Sequence, residues 1–185
     1  MPDGCGCSNP GAKGGGDAGT NQSGSGCPPP PPPKKVDWGS GSTSRGNCYR
    51  YACDDPAKSG EPHSPFPGGT DPGRHITCAD IMDGARRQGA TNPDAKGCCP
   101  VGSRKIAGVV QDKSHPAGDN DYHWYRQEPD GTWSHKRGNT AASRVDASGK
   151  PITNPETADR KYPGSDDYDK FCGYLCVPGD MDADK

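Results

Sequence analysis

Apolar positions are sparse along this chain and fall into short clusters separated by stretches of Gly, Pro, Ser and Asp. Residues 1–27 show no hydrophobic periodicity and carry Cys5, Cys7 and Cys27 among small polar residues. Six prolines follow, Pro28 to Pro33, then Lys34 and Lys35. A run of prolines has no backbone donors and adopts an extended polyproline helix, so residues 1–36 read as a disordered leader ending in a semi-rigid spacer. A folded domain is expected over 37–178 and a disordered tail over 179–185.

Within that domain the pattern predicts two helices and then strands. "NCYRYAC", 47–53, reads as a short helix running to about Asp54 and ended by Pro56. Residues 56–73 are rich in Pro and Gly and read as a loop. Thr77 with Asp80 forms a capping-box pair, Cys78, Ile81, Met82 and Ala85 share one helical face, and Gly89 is a suitable stop. "RKIAGVVQD", 104–112, is a strand candidate. "DYHWYRQEPDGTWSHKRG", 121–138, is a hairpin turning on Glu128-Pro129-Asp130-Gly131, where Pro presets φ and Gly accepts a left-handed conformation. The aromatic "YDKFCGYLCVP", 168–178, closes the domain. The order of elements implies an α+β fold.

Composition complicates this picture. One Leu, four Ile, six Val and two Phe in 185 residues are too few for an ordinary aliphatic core. The net charge of −2 is nevertheless far from the imbalance that enforces disorder. Three Trp, seven Tyr and ten Cys are the available substitutes, as aromatic bulk and as cross-links. The near-neutral balance supplies no electrostatic case for nucleic acid, and no apolar run reaches the length of a membrane span. The cysteine load is that of a protein working outside a reducing cytosol, although no signal-type apolar stretch is visible, so a secreted or exported location is expected.

Candidate chemistry centres on Cys48. Asn47 is a good helix N-cap, Gly46 lets the backbone turn, and a helix N-terminus lowers a thiol pKa. If the hairpin loop is Pro129-Asp130-Gly131, Tyr125 faces His135, and His123 and His135 project from one face, one diagonal step apart. His123 then serves as general base to Cys48, and His135 fixes the imidazole's tautomer and angle. Trp124 falls on the opposite face, as core.

A cysteine opening a helix, a histidine on a strand, and a second histidine 12 residues later across a tight turn resemble the NlpC/P60 branch of the papain-like cysteine peptidases. The resemblance covers the order of elements over residues 45–138. It implies a small papain-like domain in which an N-terminal helix carrying the Cys packs on an antiparallel sheet. It also implies a catalytic set of Cys48, His123 and His135 that cleaves amide bonds in a peptide or peptidoglycan substrate through an acyl-enzyme, without cofactor or metal. An exported bacterial effector or lysin would suit such a chain. The chain departs from the pattern in having "NCY" around Cys48 and no glutamine ahead of it, which leaves an oxyanion hole to backbone N–H groups. Asn139 competes with His135 for the third position, as in papain.

The other reading is a disulfide-stapled, non-enzymatic structural or binding module. Cys53, Cys78, Cys98, Cys99, Cys172 and Cys176 would supply three bridges. Zinc on Cys98, Cys99, Cys172 and Cys176 is the rarer option, because the spacing is not that of paired CxxC ligands. His63, His75 and His115 sit among Pro and Gly as loop residues, with His115 a reserve base. "DDYD", 166–169, reads as a solvated acidic turn.

Overall fold

The structure is a computed structural model, and it describes residues 26–39, 45–69, 71–112, 120–138, 140–164 and 167–184. Two helices, α1 (Cys48–Cys53) and α2 (Cys78–Arg87), precede β1 (Ser103–Val110), β2 (Tyr122–Gln127), β3 (Trp133–Lys136), β4 (Ala142–Ser143) and β5 (Lys170–Pro178). The strands form one antiparallel sheet in the order β4-β3-β2-β1-β5. The α+β expectation therefore holds at the level of mixed helices and an antiparallel sheet.

Local chemistry explains the helices. The Asn47 side chain accepts from the N–H groups of Tyr49 and Arg50, satisfying two donors that the first turn of α1 leaves open. After the six residues of α1, Asp54 adopts a left-handed conformation (φ 56°) and the helix stops. Arg104 and Arg126 grip the Asp54 carboxylate at 3.3 and 3.0 Å, which holds a non-glycine residue in that conformation. For α2, the Thr77–Asp80 capping box forms reciprocally, and Ile81, Met82 and Ala85 are buried together.

Both faces of the sheet are covered, and aromatics replace the missing aliphatics on each. Towards the helices, Trp124, Ile106, Val110 and Leu175 pack with Tyr49, Ile81 and Met82. On the far side, Ala107, Val109, Tyr125 and Trp133 pack under Ile152, Tyr162 and Tyr168, supplied by the irregular chain between β4 and β5. Trp124 is fully buried, as expected for a core residue.

Among the described residues three disulfides staple this framework: Cys27–Cys98, Cys78–Cys172 and Cys99–Cys176. All four cysteines considered as zinc ligands are thus spent as disulfides. Cys53, expected in a bridge, is instead free and buried, and Cys27 from the leader takes a place. The reason is position: Cys53 lies on α1 inside the core, whereas Cys27 lies where the chain crosses the loop carrying Cys98.

Two boundary expectations change. The polyproline run is fastened to the domain by the Cys27 bridge, by Arg104 Nη2 donating to the Pro31 carbonyl (2.9 Å) and by Lys34 N–H donating to Asp54 (2.6 Å). The tail also docks: Met181 and Ala183 are buried, Ala183 N–H donates to Asp55 (3.0 Å), and Asp184 pairs with the buried Arg50 guanidinium. Arg50 also donates to the Pro62 carbonyl (2.8 Å) and to Asp55 (3.0 Å), so one buried cation satisfies three segments at once.

Candidate functional site

The hairpin adopts the expected three-residue loop. Gly131 has φ 82°, its N–H donates to the Glu128 carbonyl (2.9 Å), and Glu128 N–H donates to the Thr132 carbonyl (2.9 Å). Tyr125 consequently faces His135. The two histidines meet, His123 Nε2 lying 2.9 Å from His135 Nδ1. The His135 ring stacks on Tyr125 at 5.1 Å, and Tyr168 lies 5.3 Å from the His123 ring.

The tautomers follow from one fixed acceptor. His135 Nε2 is 3.1 Å from the Val145 carbonyl oxygen, which can only accept, so this nitrogen carries the proton. Its Nδ1 is then an acceptor, and His123 Nε2–H donates to it. His123 Nδ1 is left with a lone pair. Burial holds His123 well below the usual imidazole range, assisted by His135 and Arg137. Burial likewise lowers His135 to about 4, against the opposing pull of the Val145 carbonyl. Both rings are neutral at ordinary pH.

Cys48 occupies the first position of α1, is free, and is 6% exposed. Its Sγ lies 3.9 Å from the Tyr122 carbonyl oxygen. Among the described residues no hydrogen bond joins it to either histidine. Burial pushes its pKa far up, with Asp121 adding to the effect and backbone hydrogen bonds opposing it. The expectation of an acidified thiol is therefore corrected: α1 has only six residues, under two turns, and the loss of hydration outweighs what its N-terminus contributes. Cys48 and His123 do line a common cavity of about 550 Å³, walled by Phe66, Tyr122 and Tyr168. The structure thus brings the three predicted residues to one locality, joins the two imidazoles, and leaves the thiol protonated.

Asn139, the competitor for the third position, and the reserve base His115 lie outside the described residues, as do Cys5 and Cys7. Sequence reasoning missed Tyr122, whose carbonyl faces the thiol and whose hydroxyl lies 3.3 Å from Asn47 Nδ2. It also missed the Val145 carbonyl; a main-chain acceptor leaves no residue signature.

The fold and this site define a disulfide-stapled α+β module with a neutral histidine pair beside a buried thiol. No family model matches the chain, and no solved structure matches it. Insoluble matrix shell protein 1 of Ruditapes philippinarum is 36% identical to it over 141 residues, 72% of this chain and 80% of the relative. The chain belongs to the family of that shell matrix protein. This membership, with three disulfides holding the domain, overturns the amide-hydrolase function expected from the Cys48, His123 and His135 pattern.

Proposed function

We propose that the protein is a secreted, non-enzymatic structural module of an insoluble extracellular matrix of the shell type. The observation that carries this reading is the 36% identity spanning 80% of a relative named for such a matrix. The physical design supports it. A chain with one Leu cannot rely on aliphatic burial alone. Three disulfides closing sequence separations of 71, 94 and 77 residues limit the freedom of its unfolded state. Structural bridges of this kind form and persist in oxidising compartments and are rare in a reducing cytosol. We also propose that the scaffold is papain-like in the NlpC/P60 manner and is used here as a rigid unit. In support, a helix opening on Cys48 packs on an antiparallel sheet bearing both histidines.

The test is to demineralise the hard tissue of the source organism and look for this chain by peptide mass spectrometry in the soluble and insoluble fractions. Enrichment in the insoluble residue is expected. Recovery in the soluble fraction alone, or absence from the tissue, would overturn the assignment.

A further inference from the structure

The proline run has a pattern of exposure that its sequence hides. A polyproline helix repeats every three residues, so residues spaced by three form stripes along it. Pro30, Pro33 and Val36 make one stripe and all are half-buried against the domain. Pro29, Pro32 and Lys35 make another, and all three are exposed. The third stripe, Pro28, Pro31 and Lys34, is exposed at both ends and half-buried where the Pro31 carbonyl accepts from Arg104. One edge of the strap is thus seated and the opposite edge is displayed.

The strap is also fixed at both ends, by the Cys27–Cys98 bridge before it and by Lys34 N–H on Asp54 after it. At its C-terminal end stand two exposed lysines. Among the described residues neither ammonium has a carboxylate partner, although Asp54, Asp55 and Glu128 nearby are all engaged by arginines. A row of proline rings, already held extended and followed by unpaired cations, is the chemistry read by grooves of parallel aromatic rings with an acidic flank. Proline rings lie between the aromatic faces, indole or phenol donors reach the proline carbonyls, and the flank takes the cation. Anchoring removes much of the ordering cost that a free peptide meets on binding.

We infer that the displayed stripe Pro29–Pro32, with Lys34 and Lys35, is a docking ridge for a partner protein whose groove is lined by aromatic side chains and flanked by carboxylates. The inference stands independently of the matrix assignment, since it rests on the strap alone.

The experiment uses the oxidised full chain and, as probe, an isolated SH3 domain that selects Pro-x-x-Pro-x-Lys ligands, titrated by isothermal calorimetry. Binding with a Kd below about 1 mM is expected. The outward double variant Pro29→Ala/Pro32→Ala should lose at least about tenfold, and Lys34→Ala/Lys35→Ala about threefold to tenfold, whereas inward Pro30→Ala/Pro33→Ala should stay within about twofold. Thermal melts of each variant confirm that the domain is folded before titration. A synthetic peptide of residues 27–36 should bind more weakly than the protein. No binding by the intact chain, binding by the peptide but not the chain, or equal losses from the inward and outward variants would each overturn the proposal.

Discussion

The neutral histidine pair makes a quantitative demand on how stability depends on pH. Both His123 and His135 titrate below the ordinary imidazole value in the folded protein, because burial penalises the charged ring. Between the folded and unfolded pKa values the unfolded chain binds more protons, so stability is fully present above about pH 6.5 and drains away as pH falls. With His135 at about 4 in the fold, its contribution falls by about 2 kcal/mol between pH 7.5 and pH 5, and by about 3 kcal/mol once pH drops below 4. His123 is displaced in the same direction, by burial first and then by His135 and Arg137, and adds to this loss. The carboxylates held down in the fold, Glu61, Asp80, Asp112, Glu128, Asp130 and Asp146, do not confuse this interval. Unfolded carboxylates titrate near ~4, so their contribution disappears mainly below it. Guanidinium unfolding followed by near-ultraviolet circular dichroism at half-unit steps from pH 7.5 to 5 reads the slope directly. His123→Phe/His135→Phe should flatten the curve in this window, whatever it does to absolute stability. A wild-type curve flat to within about 1 kcal/mol would refute the buried neutral pair, as would a double variant that keeps the full slope.

Other expectations test the remaining structure. Gly84→Ala would improve helix propensity by about 1 kcal/mol on an exposed helix, yet here the new Cβ meets the Pro67 backbone and lies 3.1 Å from Pro67 Cβ. A net destabilisation of about 2–3 kcal/mol is expected, a fall in melting temperature of about 4–12 °C by calorimetry; an unchanged or raised value would show that this loop yields freely. Cys78→Ser/Cys172→Ser opens a 94-residue separation and should cost about 2–5 kcal/mol in chemical denaturation, with no cost refuting the stapling role. Iodoacetamide at about pH 6 should leave Cys48 unmodified in the native protein and label it after unfolding in guanidinium; rapid native labelling would restore a reactive thiol.

Different features of the chain were legible to different degrees. Asn47, the Thr77–Asp80 pair and the Pro129-Asp130-Gly131 loop act within a few residues of themselves, so their effects could be read locally and the structure repeats them. The same turn set the pairing of Tyr125 with His135 and hence the meeting of the imidazoles. Cys48 was legible as the residue opening a helix but not in its protonation, because burial depends on Phe66, Tyr122 and the rest of the fold closing around it. Disulfide pairing was legible only in part. Five of the six cysteines expected to pair do so, but Cys53 gives way to Cys27 from the segment read as a leader.

By itself, the order of residues determined the short-range geometry: where helices start, how the hairpin turns, and that cross-links and aromatic rings must stand in for aliphatic bulk. The tertiary structure alone decided which groups are charged, which cysteines meet, and which side of the proline strap faces outward. Backbone conformation is governed by neighbours along the chain, whereas desolvation and contact depend on groups brought from far along it. Arg50, on α1, reaches Asp184 across 134 positions of sequence, and no local pattern announces such a partner.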